Sequence, residues 1–155
     1  MVECLIALAI SAVLLTAVAV AFNASIINYR ENEKMYSTMN NARQALTRMT
    51  SELRTADGVD STDPSNLCEF FSGSDPNLLI TYEYCGASDP NHPNTLLLKQ
   101  NGNSYVLCDN VTAASFVKTP AANGVDAKSV QISLTVEDGG FERTLSAAAV
   151  IRRSL

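Results

Sequence analysis

The sequence predicts an α+β protein: a long N-terminal α-helix packed against a small antiparallel β-sheet head. Three observations lead there. Residues 4–22, CLIALAISAVLLTAVAVAF, are apolar almost without break and hold no charge, glycine or proline. Residues 23–55 then repeat apolar side chains mostly at spacings of three and four, the period of one helical face. From residue 58 the chain changes to short apolar or alternating runs divided by turn residues, the pattern of close antiparallel strands.

The apolar run is the first element. About 20 apolar residues suffice to cross a bilayer as a helix. A secretory signal would begin with basic residues and carry a shorter apolar core of about 7–15 residues. Here the chain begins Met1-Val2-Glu3, and Arg30 is its first basic side chain. A buried helix of a soluble domain normally keeps a polar face, and this run has none. A single-span anchor explains the length but leaves Glu3 without a purpose. A carboxylate entering hydrocarbon must be protonated or paired. No basic side chain of its own chain lies close enough, so a partner for Glu3 must come from elsewhere; the bland alternative is a Glu3 solvated at the lipid headgroups. Small residues along the run (Ala7, Ala9, Ser11, Ala12, Thr16, Ala17, Ala19, Ala21) let helix backbones approach closely, in a bilayer or in a filament core.

The helix continues past the run. Ala24, Ile27, Met35, Met39, Ala42, Leu46, Met49 and Leu53 recur along one face, with Arg30, Glu31, Glu33, Lys34, Arg43, Arg48, Glu52 and Arg54 between them. No glycine precedes Gly58 and no proline precedes Pro64. The N-terminal unit is therefore one helix over 1–57, apolar in 1–22 and amphipathic in 23–57, about 80 Å long at 1.5 Å per residue. Asp57-Gly58 is the expected stop, with the glycine in a left-handed cap.

Glu3 followed by CLIALAISAVLLTAVAV resembles the N-terminal segment of type IV pilins and type II secretion pseudopilins. ARQALTRMTSELRTADGV (42–59) is similar to the helix end of the minor pilin-like branch. VLCDNVTAASFVK, SVQISLTVE and TLSAAAVIRRSL carry a similar C-terminal pattern. The resemblance is specific in residues 3–22 and looser beyond. It implies a pilin-like fold and a filament assembled from copies of this chain or related pilins. It gives Glu3 the role of contacting the N-terminal amine of a neighbouring copy, which would set the axial register. It also implies an inner-membrane stage before assembly, assembly machinery, and a prepilin peptidase. One departure stands out: only Met1 and Val2 precede Glu3, where the family has four residues after a basic leader. The simplest expectation is that the leader, with or without two mature residues, precedes this stretch; a true start at Met1 would put processing by a prepilin peptidase in doubt.

Residues 58–155 form the β-rich head. Strand signals fall at 67–72, 78–84, 95–99, 104–108, 113–118, 129–137 and 143–151. Asn101-Gly102 is a hairpin signal, and Asp138-Gly139-Gly140 joins the last two long strands. Residues 72–76, 86–93 and 119–124 read as loops. One antiparallel sheet is expected, its apolar face on the second half of the helix.

Four cysteines are present. Cys4 is a small apolar residue of the helix. A translocated head would meet oxidising conditions. If 67–72 and 78–84 form a hairpin, Cys68 and Cys85 come near its open end. That pair is the favoured disulfide, with Cys108 as the alternative partner. His92 is the only histidine and no close Cys-x-x-Cys exists, so no metal site is expected. Residues 1–57 carry five basic and five acidic side chains. The head carries six and eleven, and so the whole net charge of −5. An acidic head disfavours a nucleic-acid surface, and Arg152-Arg153 is too short to alter that. No nucleophile elbow, phosphate loop or zinc-helix motif occurs. His92 reads as a loop residue, and the triplets at Asn23 and Asn110 as chance matches to a glycosylation signal. No enzyme and no cofactor are expected.

The first expectation is thus a structural subunit of a filament, a major pilin or a minor pilin or pseudopilin at a tip, moving from the inner membrane to the cell surface. The second, of another class, is a monomeric membrane-anchored binding module using the loops 85–94 and 119–127.

Overall fold

The computed structural model describes residues 2–122 and 124–152. Met1, Asn123 of the 119–124 loop, and Arg153 of the basic pair lie outside the described residues. The fold is α+β, with one long helix and two antiparallel sheets. Helix α1 runs Val2–Thr55 without interruption, as the absence of glycine and proline requires. It is followed by β1 (Gly58–Val59), β2 (Leu67–Phe71), β3 (Leu79–Cys85), β4 (Thr95–Gln100) and β5 (Asn103–Cys108). Then come β6 (Val111–Pro120), β7 (Ala127–Asp138) and β8 (Phe141–Val150).

The strands form two sheets where one was expected. The first holds β1 to β5 in chain order, the second β6 to β8 in chain order. The chain passes from the first sheet to the second at Asp109-Asn110, where Asn110 takes φ 55°. A side chain with φ above zero turns the chain sharply, and Asn tolerates this better than most residues. Both hairpin signals are realised. Asn101 and Gly102 have φ 52° and 76°, and Gly139 and Gly140 have 62° and 81°, the backbone of tight two-residue turns.

The chain divides into two compact units, Met1–Lys34 and Met35–Leu155, so the division falls inside α1 rather than at 57/58. The reason is burial. Thr38, Ala42, Ala45, Leu46, Met49 and Leu53 of α1 are buried. The five apolar ones share one core with Cys68, Phe70, Tyr82, Leu96 and Leu98 of the first sheet and Phe116, Val130, Ile132, Leu134, Val136 and Ala149 of the second. Alternation along β7 puts Val130, Ile132, Leu134 and Val136 inward, as a half-buried strand demands.

Polar ties reinforce this core. The buried Tyr82 hydroxyl donates to Glu52, which also accepts from Arg48 Nε at 2.9 Å. Thr38 Oγ1 donates to Asp138 Oδ2 at 3.0 Å. The Lys118 ammonium, its side chain only 3% exposed, donates to the carbonyls of Asp63, Pro64 and Leu67 at 3.0, 3.3 and 2.6 Å. Lys118 lies on β6 and its acceptors precede or open β2, so one cation fastens the second sheet to the first.

The helix stops differently from expectation. Gly58 is not a left-handed cap; it is a β1 residue paired with Phe71. Gly73 instead makes the close approach: a Cβ there would lie 1.7 Å from the Thr55 carbonyl oxygen. No other residue fits without moving backbone.

Candidate assembly site

Every described residue from Val2 to Lys34 is exposed. Within this unit lies a window of mean hydropathy 2.7, none of it buried. Leu5, Leu8 and Leu15 are each 69% exposed. Burying one such side chain is worth about 1.5–3 kcal/mol, so the segment gains strongly from any apolar surroundings.

Its polar side chains are already adapted to a dry environment. Ser11 Oγ donates to the Ala7 carbonyl and Thr16 Oγ1 to the Val13 carbonyl, each at 2.8 Å. These are the only hydroxyls of the run, and both are satisfied inside the helix. The backbone is likewise satisfied by the helix itself, the condition for entering hydrocarbon or a filament core.

Glu3 is the exception. It lies in the first turn of α1, exposed, where the helix dipole favours a negative charge. Among the described residues it has no ion-pair partner. The nearest basic residue along its own helix is Arg30, about 40 Å away at 1.5 Å per residue. Neutralising this carboxylate in an apolar setting therefore requires a group from another molecule or a proton.

The exposed apolar surface extends further than the sequence suggested. Ala24 and Ile27, expected on the head-facing stripe, are exposed, as are Phe22, Ile26 and Tyr29. Burial begins only at Met35, which is half-buried, and Thr38. The apolar spacing lapses between Ile27 and Met35, where Arg30 and Glu31 hold the i+3 and i+4 positions after Ile27, so the sequence did carry a mark of this change.

The cysteines do not form the expected bridge. All four are free thiols. The register explains why Cys68 and Cys85 are apart. Cys68 pairs with Tyr82, three residues before Cys85 on β3. An odd offset puts the two side chains on opposite faces of the sheet. Cys108 shares the inner face with Cys68, but β3 and β4 lie between their strands. Burial pushes the Cys68 thiol up to about 12 and the Cys108 thiol up to about 11. Cys85 is also raised, mainly by burial and then by Glu83. Thiols in such surroundings stay protonated and unreactive at neutral pH.

His92 lies in the loop before β4, where its backbone N–H and that of Asn91 donate to Asp89 Oδ1 at 2.8 and 2.9 Å. These two bonds hold the Asp89 carboxyl below its usual value. Lys99 forms an ion pair with Glu83 across β3 and β4. Both arrangements order the sheet and its loop. Compared with family models, curated proteins and solved structures, the chain matches none.

Proposed function

We propose that this chain is a structural subunit of a type IV pilus-like filament, held in the inner membrane through its N-terminal helix before assembly and exposed at the cell surface after it. The observation that carries the reading is the fully exposed segment 2–34, apolar on all faces through residue 22 and headed by an unpartnered carboxylate. A partner that buries the run and neutralises Glu3 at once is another copy of the same helix, offset so that its N-terminal amine meets Glu3. The resemblance of residues 3–22 to pilins and pseudopilins points to the same arrangement. Function then lies in assembly, with no catalysis assigned to the head. A minor pilin or pseudopilin at a filament tip would use the same contacts. The self-satisfied hydroxyls Ser11 and Thr16 favour one further reading, a membrane-anchored binding module, because they suit lipid as well as protein.

Imaging material sheared from cells tests the proposal. Filaments containing this chain are expected, and Glu3→Ala is expected to abolish them. Filaments unchanged by the substitution would remove Glu3 from the mechanism. Detergent-bound particles with no filaments would favour the anchored module.

A further inference from the structure

Strand β8 leaves an open edge. In the second sheet it lies outermost, paired only with β7. The two-residue turn Gly139-Gly140 makes Asp138 and Phe141 a hydrogen-bonded pair. Odd-numbered residues of β8 therefore bond to β7, and Ile151 continues the series by donating to the Lys128 carbonyl at 3.0 Å. The even-numbered ones, Glu142, Thr144, Ser146, Ala148 and Val150, direct their backbone N–H and C=O groups outward. All five are exposed, and among the described residues no hydrogen bond reaches these outward groups.

Natural proteins blunt such edges with charge, proline, bulges or a covering element. Here β8 runs ten residues in unbroken register, without proline, and is uncharged from Thr144 to Val150. Beyond the Glu137–Glu142 row at the turn end, the adjoining sheet face is uncharged too. Its rows are Ala113–Thr135–Thr144, Ser115–Ser133–Ser146, Val117–Gln131–Ala148 and Thr119–Ser129–Val150. In a chain of net charge −5, the stretch from Thr144 to Val150 is a place where two copies meet with no charged side chain on the edge strand.

We propose that β8 pairs with β8 of a second copy, antiparallel about a two-fold axis, joining two three-stranded sheets into one of six strands. An unpaired backbone edge is satisfied by another strand, and this sequence complements itself. With Ser146 opposite Ser146, Thr144 meets Ala148 and Glu142 meets Val150, so every outward group from 142 to 150 is used. Arg143 falls opposite Ala149, and no charge faces a like charge. The contact is isologous. It does not depend on the filament reading. Neighbours in a polar helical filament are related by a screw axis, so this contact joins separate filaments, or anchored copies side by side.

Site-specific crosslinking of the full chain in detergent micelles tests it. In a Cys4→Ser background, Ser146→Cys with a short bismaleimide is expected to give a covalent dimer. Gln131→Cys, exposed on the same face but on central β7, is expected to give none. Adding Ala148→Pro to the Ser146→Cys chain removes an outward N–H that the head itself does not use, and should abolish the dimer. Absence of dimer at 146, equal dimer at 131, or dimer surviving Ala148→Pro would overturn the proposal. Hydrogen exchange on the unmodified chain reads the same contact. The Thr144, Ser146 and Ala148 amides should be protected at high concentration and lose protection on dilution; fast exchange at every concentration would refute the pairing. Association through α1 leaves all these readouts unmoved, so loss of filaments and loss of this contact are seen separately.

Discussion

The two ends of α1 follow opposite rules although they form one helix. From Val2 to Lys34 every described residue is exposed, and the apolar ones have no partner within the fold. From Met35 onward one stripe is buried among two sheets, and the polar side chains Thr38 and Glu52 hold strand partners. The same residue types thus serve two ends. Leucine at 46 and 53 stabilises the head, while leucine at 5, 8 and 15 contributes nothing to it and is available to another molecule. A helix is a carrier of side chains, and what surrounds them decides their use.

That contrast can be broken most directly by truncating one apolar residue on each side. Ile132→Ala, in the shared core, should destabilise the head by about 2–5 kcal/mol. Val13→Ala should leave head unfolding unchanged, measured by urea denaturation in the same detergent. A matching loss from Val13→Ala would mean that the segment is part of the head's core after all. The polar ties come next. Lys118→Met keeps the aliphatic stem but leaves three carbonyls without their donor and the Asp63 carboxylate without its cation, and should cost about 3 kcal/mol. A neutral result would show that the carbonyls and the Asp63 carboxylate find water.

The smallest effect is expected from alkali. The folded Cys68 thiol sits at about 12 against 9.0 for the free group, because burial disfavours the thiolate. The unfolded chain loses this proton first, so the contribution is complete below about pH 9 and is lost as pH rises towards 12. Head stability should fall by about 1 kcal/mol between pH 8 and pH 10 on this account, and Cys68→Ala should flatten that fall. A slope unchanged by Cys68→Ala would assign the alkaline sensitivity to other groups.

Much of the fold was legible because its signals are local. Seven strand runs, both glycine turns and the uninterrupted helix follow from periodicity, Asn-Gly and Gly-Gly pairs, and the missing helix breakers. What was not legible depends on register and on tertiary partners. The division at Met35 lies inside one helix, and its one local sign is the polar stretch between Ile27 and Met35 that interrupts the apolar stripe. The two sheets part at Asn110, where the sequence reads as an ordinary strand connection. Cys68 and Cys85 were expected together because hairpin ends are close; a three-residue offset put them on opposite faces. Nothing local marks Lys118 as a buried cation, since its partners, three backbone carbonyls and the Asp63 carboxylate, lie more than fifty residues earlier in the chain. Glu3 stood out because charge at the head of an apolar run is rare, and the open edge of β8 emerged only with its pairing.

The ties Thr38–Asp138 and Glu52–Tyr82 have a mechanical consequence. They lie about 21 Å apart along α1, one reaching the turn end of the second sheet and the other the middle of the first. A pull on α1 toward its N-terminus is therefore delivered to the second sheet near residue 38 and to the first near residue 52. The load thus enters the head at two points in succession, one on each sheet.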